Sequence, residues 1–332
     1  MRNFCTLFDK NYLYRGLTLY SSLTKNHPDF NLWILCMDNE TFELLEKMNL
    51  DNIKLIRLEE FENDRLKEVK KERTKTEYSW TCAASLCWFM LDRIEDGDLI
   101  TYLDADMYFF SDPESIFKEI DNSSVAIVEH RLRGIKLSLE KYLGTYNVGW
   151  VSFRKDSDGI EAAKWWKDKV LDWCFAYFKD GMIGDQHYLN DWTKRFKKVC
   201  VIKNEGADVA PWNVNNLKIT RENEKVFVGG VPLVFYHFHN FSLINRNFYI
   251  PVTAYNIPKT AEKYIYAEYI KEIRKTVGLV SRFDQDFNFG FKNKFIKALI
   301  ARTLFRSKFF EYFYIIYSGH KLKKTAAISL DK

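Results

Sequence analysis

The sequence predicts an α/β fold in which a central mixed sheet is flanked by helices. Two observations carry this prediction. Strand-like and helix-like segments alternate over residues 1 to about 155, and an apolar run at residues 99–103 ends in a pair of carboxylates. The chain has 332 residues, of which 47% are hydrophobic, so it can bury a sizeable core. We therefore expect a globular protein.

Short apolar runs predict the strands of the first half, and longer segments with apolar residues at helical spacing predict its helices. The segment at 61–77 carries many charges of both signs and is predicted to be a solvated helix or loop. The predicted strands are residues 3–8, 32–37, 53–58, 99–103, 125–129 and 147–153, and the predicted helices are 14–25 and 78–94.

The second half continues with a helix that contains Trp165, Trp166 and Trp173, and with a shorter helix that begins at Gly184-Asp185. A β-rich section at 198–239 and a helix at 258–277 follow. No internal repeat or low-complexity linker interrupts the chain. We therefore predict one catalytic domain at 1–257 and a C-terminal helical extension at 258–332.

The carboxylate pair is Asp104-Ala105-Asp106, directly after the predicted strand at 99–103. Such a tripeptide is common by chance, but ligands of open α/β sheets bind at the carboxyl ends of strands. Two hard oxygen ligands there suit Mg²⁺ or Mn²⁺ together with the oxygens of a diphosphate. The alternative is a pair that caps the strand end or forms a salt bridge.

Charge and cysteine content narrow the class of protein. The six cysteines are scattered in apolar surroundings without a C-x-x-C pair, which favours reduced thiols in a cytoplasmic protein. No signal peptide and no apolar run long enough to span a bilayer is expected. Residues 291–332 carry ten basic and two acidic residues, a net charge of +8 within a total of +5, so the body is acidic. An acidic body argues against a nucleic-acid partner.

Five short motifs occur in an order that resembles the GT-A glycosyltransferases, closest to the family 8 group of glycogenin and the bacterial lipooligosaccharide galactosyltransferases. The resemblance covers residues 1–240. It implies the GT-A fold, which is a Rossmann-like sheet of nucleotide-diphospho-sugar transferases, and a role in cell-surface polysaccharide synthesis. The motifs are the strand end at 6–12, Asp104-Ala105-Asp106, Asn147-Val148-Gly149, Gly184-Asp185-Gln186, and Pro211-Trp212-Asn213 followed by 236–239.

The resemblance implies a metal-dependent transfer of sugar from a nucleotide-diphosphate sugar, with retention, to a glycan, lipid-linked or protein acceptor. It assigns Mn²⁺ or Mg²⁺ to Asp104, Asp106 and His237, and the catalytic positions beside the reacting carbon to Asp185 and Gln186. The donor contacts that it implies are Thr6, Asp9, Tyr12, Asp104, Asn147, Trp212, Asn213 and His239.

Two positions depart from the family pattern. His187 stands where the family usually has a second acid, at a position that bears on sugar specificity. The late motif lacks the lysine that neutralises the diphosphate, and His239 or Arg246 is the candidate for that role.

Structural alternatives stay open for several of these residues. His237 and His239 end a strand-like run and are equally typical of hydrogen-bonded core histidines. Asp185 is also a normal helix cap, Asp9 a turn residue and Tyr12 a packing residue. Two other functions remain: a sugar-1-phosphate nucleotidyltransferase, which would need a glycine-rich loop after the first strand, and a non-catalytic sugar- or nucleotide-binding protein.

The tail at 291–332 alternates basic residues with aromatic and aliphatic ones. This pattern is typical of a segment that binds an anionic membrane surface, which would place the enzyme on the inner face of the membrane. A C-terminal helix docked on the domain with its lysines in water is the alternative.

Overall fold

The computed structural model describes residues 1–132, 140–245, 249–252 and 255–291. The predicted membrane-binding tail beyond residue 291 and the candidate Arg246 lie outside the described residues.

Fourteen strands form in the described part of the chain, and the six that the sequence predicts are among them. They are β1 Arg2–Phe8, β2 Phe30–Cys36, β3 Ile53–Arg57, β4 Leu99–Leu103, β5 Met107–Phe109, β6 Val125–Glu129, β7 Tyr146–Arg154, β8 Val199–Ile202, β9 Ile219–Glu222, β10 Lys225–Val228, β11 Val231–Pro232, β12 Phe235–His237, β13 Ser242–Leu243 and β14 Tyr249–Ile250.

Seven of these strands form the central sheet in the order β3-β2-β1-β4-β7-β6-β8. All neighbours are parallel except at β7, which runs antiparallel to both β4 and β6. Because β7 is reversed, its first residues lie at the same edge as the last residues of β1, β4 and β6. Polar residues from four strands therefore meet at this carboxyl edge.

Two of the long helices, α5 (Lys75–Leu91) and α8 (Ser157–Asp172), begin at residues whose side chains cap them. Thr74 and Glu77 form a reciprocal capping box at α5, and Asp156 accepts a hydrogen bond from the Gly159 amide at α8. The helices are α1 Leu13–Asn26, α2 Asn39–Met48, α3 Leu58–Phe61, α4 Asp64–Glu72, α5 Lys75–Leu91, α6 Glu114–Ile120, α7 Glu140–Leu143, α8 Ser157–Asp172, α9 Trp192–Arg195, α10 Lys259–Ala261 and α11 Ala267–Phe283.

Three helix predictions need correction. Trp173 lies just past the end of α8, and the short helix after Gly184 is a 3-10 helix at Gln186–Asp191 that leads into α9. The helix predicted at 258–277 contains a π-helical turn at Glu262–Tyr266 and continues to Phe283.

Each face of the sheet has its own hydrophobic core. Residues of α5 and α8 cover one face, and residues of α1, α2, α6 and α11 cover the other. Helix α11 packs along α1, where the hydroxyls of Thr18 and Thr276 lie 3.2 Å apart and Ser21 donates to Glu272 at 2.6 Å. The first part of the predicted extension thus shares the core of the sheet.

All six cysteines are free, and all except the half-buried Cys200 are buried. Within the described ranges, no helix combines the length and the apolar character needed to cross a bilayer.

Candidate active site

The two carboxylates and His237 meet at the carboxyl edge because of how β4, β5 and β12 are connected. Asp104 and Asp106 lie in the short link between β4 and β5, and β12 pairs antiparallel with β5 so that His237 is opposite Met107. The Nε2 atom of His237 lies 3.1 Å from Oδ1 of Asp106 and 3.6 Å from Oδ2 of Asp104. One ligand atom from each of the three residues falls within 4.8 Å of the others. The structure therefore brings the three predicted metal ligands together.

Gly149 gives the imidazole of His237 room to approach the sheet. A Cβ at Gly149 would lie 2.8 Å from Nδ1 of His237, which is closer than real Cβ atoms come. On another side, the indole of Trp212 packs edge-on against the ring with centroids 5.3 Å apart. Packing thus fixes the position of the ring. The motif Asn147-Val148-Gly149 ends in glycine because a larger residue would collide with this ring.

Burial and the neighbouring charges shift the pKa values at this site in opposite directions. Burial alone would raise the pKa of Asp106, but the charge and hydrogen bond of His237 lower it to about 2. Burial raises the pKa of Asp104 to about 6 against the opposing effect of His237. Burial would lower the pKa of His237, yet Asp106 and the other carboxylates raise it well above its ordinary value. In the absence of a cation, a proton on His237 thus balances part of the negative charge.

A third carboxylate, Asp208, lies on the other side of His237 and was not found from the sequence. Its side chain is fully buried, and its Oδ1 atom lies 3.7 Å from Nδ1 of His237. Asp104, Asp106, Asp208 and His237 form one buried group, which we call the charged cluster. Asp208 lies in an irregular segment without periodicity, so no sequence signal marked it.

Arg15 is a second residue that sequence reasoning missed. It is buried in the first turn of α1, donates to the carbonyls of Asn11 and Phe241, and lies with its guanidinium 4.4 Å from the ring centroid of Tyr12. Its positive charge also lowers the pKa of Asp106, with a smaller effect than those of His237 and His239. Tyr12 itself is 45% exposed, so its ring is available at the rim of the site. In the sequence, Arg15 looks like any other cation of an amphipathic helix.

Asp185 and Gln186 lie at the start of the 3-10 helix. Burial and, to a smaller extent, the nearby charge of Asp104 raise the pKa of Asp185 to about 8, so this carboxyl is protonated at neutral pH. It makes no side-chain cap of the helix, against the structural alternative. The Gln186 amide donates to the carbonyl of Leu143 at 2.5 Å, which fixes its orientation.

His187, the departure from the family pattern, is used to hold two loops. Its Nδ1 and Nε2 atoms lie 2.9 Å and 2.8 Å from the carbonyl oxygens of Gly181 and Tyr142. Gln186 and His187 therefore contact the consecutive carbonyls of Leu143 and Tyr142. His187 therefore connects the loop at Gly181 with the segment at Tyr142, next to Gln186.

His130, Asn147 and Asn213 form a second buried group, which we call the neutral network. His130 Nδ1 donates to the Gly144 carbonyl at 3.0 Å, and its Nε2 accepts from the Asn147 amide at 3.3 Å. Asn147 accepts from the Gly149 amide at 2.7 Å. Burial lowers the pKa of His130 to about 4, so the ring is neutral.

Asn213 ties this network to neighbouring loops. It accepts from the Ala210 amide at 2.9 Å and donates to the carbonyls of His130 and Asp208 at 3.1 and 2.9 Å. The predicted donor contacts Asn147 and Asn213 thus have internal partners in this structure, and their role toward a donor stays a prediction.

The other predicted donor contacts lie around the same edge. Thr6 is buried in β1. Asp9 accepts from the backbone and side-chain amides of Asn11, which is the turn role that the sequence left open. Trp212 is buried between His130, His237 and His239, and His239 is half-buried with a pKa that burial lowers to about 4.

Comparisons with known proteins agree with this architecture. The family model described as glycosyl transferase family 8 matches residues 3–216. Two uncharacterized proteins of Bacillus subtilis (strain 168) are similar to the chain. YfnD is 29% identical over 292 residues, and YfnF is 28% identical over 299 residues. The matches cover 87% and 88% of this chain and 94% and 97% of the relatives.

Among solved structures, the galactosyltransferase LgtC in complex with donor and acceptor sugar analogs has a similar fold, with a TM-score of 0.52 and 15% sequence identity. The match covers 82% of this chain and 95% of LgtC. At this identity the likeness shows the fold alone, and that fold is the GT-A arrangement.

Proposed function

The chain belongs to glycosyl transferase family 8 and is a nucleotide-sugar-dependent glycosyltransferase, and on this premise we propose that its transfer requires a divalent cation held by Asp104, Asp106 and His237. The single observation that carries the proposal is the convergence of these three side chains at the carboxyl edge of the sheet. Family membership favours glycosyl transfer over the nucleotidyl transfer and non-catalytic binding that the sequence left open.

The donor set fits a divalent cation and favours Mn²⁺. Two carboxylates and one imidazole lie with a ligand atom each within 4.8 Å of one another. Mg²⁺ prefers oxygen ligands alone, whereas Mn²⁺ shares that preference for carboxylates but is a first-row transition ion that also binds sites with a nitrogen ligand. When bound, such a cation acts as a Lewis acid that stabilises the charge on the departing nucleoside diphosphate.

We assign binding roles to the side chains next to this set. The exposed ring of Tyr12 is suited to stack on the nucleotide base, and the buried cation Arg15 adds positive charge near Asp106. Arg15 supplies part of the charge that the missing lysine of the late motif would otherwise provide. His239 is neutral at pH 7, because burial lowers its pKa to about 4, so it can offer a hydrogen bond but no charge.

For Asp185 and Gln186 we propose contacts with the donor sugar and transfer with retention. A carboxyl with a pKa of about 8 donates a hydrogen bond at neutral pH and is a poor general base, whereas inversion needs a base on the acceptor. Asp104 and Asp106 already pair with His237. NMR of the product linkage tests this step: we expect the anomeric configuration of the donor, and an inverted linkage would contradict the assigned roles.

The acceptor is proposed to be a glycan, a lipid-linked sugar or a protein. A lipid-linked acceptor is the class that the basic, aromatic segment at 291–332 favours, since that segment suits an anionic membrane surface. Phe291 contacts Tyr14 at 5.4 Å between ring centroids, so a truncation belongs after it. We expect a chain ending at Phe291 to lose sedimentation with phosphatidylglycerol vesicles and to keep donor hydrolysis. Unchanged sedimentation, or lost hydrolysis, would contradict a membrane role.

The experiment that tests the function is release of nucleoside diphosphate from a panel of nucleotide sugars. We expect one or a few donors to be hydrolysed with Mn²⁺, more slowly with Mg²⁺, and not at all with a chelator. Release that is unaffected by chelator would remove the metal from the proposal while leaving the enzyme class intact.

A further inference from the structure

Asp208 is a buried carboxylate with an unusual lack of partners. Its side chain has no exposed surface, and among the described residues neither of its oxygens accepts a hydrogen bond. Burial of an unpaired carboxylate costs several kcal/mol, on the order of the Born penalty after relaxation. No hydrogen bond in the described part of the fold offsets this cost, so the presence of a carboxylate at this position calls for another explanation.

The ring nitrogen of His237 that faces Asp208 also lacks a hydrogen-bond partner among the described residues. Nδ1 of His237 lies 3.7 Å from Oδ1 of Asp208, is buried, and has no hydrogen-bond partner in the described part of the chain. The opposite ring atom, Nε2, faces Asp104 and Asp106. The imidazole thus stands between Asp208 and the proposed metal ligands.

The backbone holds Asp208 beside this ring. The His237 amide donates to the carbonyl of Val209 at 2.8 Å, and Asn213 donates to the carbonyl of Asp208 at 2.9 Å. Asp208 adopts a φ of 46°, in the left-handed region that asparagine, aspartate and glycine tolerate best. The same two-residue segment therefore contacts both the main chain and the side chain of His237.

We infer that Asp208 is a positioning residue that accepts the Nδ1 proton of His237 and so presents the unprotonated Nε2 atom to the cation. Ring nitrogens are distinct, and a metal-ligating histidine commonly donates its other N–H to a carboxylate, which fixes the tautomer and raises ligand basicity. This inference rests on the proposed metal site. It explains why the fold keeps a third carboxylate behind the ligands.

The variants Asp208→Asn and Asp208→Gly test it, because both side chains tolerate the positive φ. Asparagine keeps an acceptor oxygen without charge, and glycine removes the acceptor. Titration of Mn²⁺ in the absence of donor, followed by the electron paramagnetic resonance of free Mn²⁺, measures binding separately from activity. We expect the Kd for Mn²⁺ to rise about 10-fold for Asp208→Asn and about 100-fold for Asp208→Gly.

Thermal unfolding of the metal-free protein separates positioning from a structural role. We expect the Tm of Asp208→Asn to stay close to that of the unmodified chain, because asparagine keeps the shape of the side chain and the lost attraction to the protonated His237 ring is offset by the lower cost of burying a neutral group. The control is Asp156→Ala, which removes the side-chain cap of α8 and should lower Tm without changing the Kd for Mn²⁺.

The outcomes distinguish the inference from the function on which it rests. Mn²⁺ binding by the unmodified chain with unchanged Kd in both Asp208 variants would overturn the inference alone. Absence of Mn²⁺ binding in the unmodified chain would overturn the metal site and the inference together.

Discussion

The charged cluster and the neutral network lie side by side at the carboxyl edge of the sheet, and each contains a buried histidine. In the neutral network the ring nitrogens of His130 both have hydrogen-bond partners, and burial lowers its pKa to about 4. In the charged cluster, neighbouring carboxylates outweigh burial and raise the pKa of His237 well above its ordinary value. Similar burial therefore produces opposite charge states.

The two groups differ in whether their polar atoms are satisfied without a ligand. A network whose donors and acceptors pair with one another contributes to the fold without any ligand. A cluster with three carboxylates around one imidazole holds excess negative charge and unpaired oxygens, so it gains most from a cation. We therefore expect substitutions in the neutral network to affect stability, and substitutions in the charged cluster to affect metal binding and transfer.

Asp106→Asn should have the largest effect on activity. An amide keeps the shape of the side chain but loses the charge that a cation needs, so we expect nucleoside diphosphate release to fall about 1,000-fold, on the order of 4 kcal/mol. Asp104 and Asp208 still flank His237, and we expect the fold to persist by circular dichroism. The control Asp96→Asn changes a carboxylate that is 93% exposed and should leave release unchanged. Equal activity of the two variants would contradict a catalytic role for the cluster.

His130→Phe should have its main effect on stability. The substitution keeps the ring but leaves the Asn147 amide and the Gly144 carbonyl without their partner, at a cost of about 1–3 kcal/mol each. We expect the free energy of unfolding in urea to fall by about 2–4 kcal/mol, while the Kd for Mn²⁺ stays within about threefold. His27→Gln, whose ring pairs with an exposed Asp112, is the control and should cost less. A large loss of Mn²⁺ affinity without loss of stability would mean that His130 acts in metal binding, and it would contradict the separation of the neutral network from the charged cluster.

The two histidines should give opposite pH dependences to the metal-free protein. The folded pKa of His130 is about 4, below the ordinary 6.5, so the stability it contributes is present above 6.5 and is lost as pH falls toward 4. The folded pKa of His237 is above 6.5, so its contribution is present below 6.5 and is lost as pH rises through the folded pKa. Each slope is at most about 1.4 kcal/mol per pH unit for one proton.

Urea unfolding with a chelator between pH 4.5 and 9 measures both slopes. We expect His130→Phe to flatten the acid side of the profile and His237→Asn to flatten the alkaline side. Profiles in which each variant flattens the other side would contradict the assigned charge states.

Much of the fold and part of the site followed from the sequence, because the signals were local. β4 and β6 have the predicted bounds, since each is an apolar run between turn residues. Asp104 and Asp106 were identified because they follow such a run, whereas His237 was assigned through the resemblance to the family.

The residues that escaped prediction depend on tertiary contacts. Asp208 sits in an irregular segment, and its significance comes from a ring nitrogen 3.7 Å away on another strand. Arg15 gains its role from the Phe241 carbonyl, which is distant in sequence. The 3-10 form of the helix at 186–191 and the π turn at 262–266 likewise depend on packing that propensity does not encode.

The most direct test of the central claim is a crystal structure with Mn²⁺ and a nucleoside diphosphate, measured for anomalous scattering from manganese. We expect one anomalous peak within about 2.5 Å of a carboxylate oxygen of Asp104, a carboxylate oxygen of Asp106 and Nε2 of His237, with diphosphate oxygens completing the coordination. A nucleotide bound at the carboxyl edge with no manganese peak there, or a peak away from these three side chains, would contradict it.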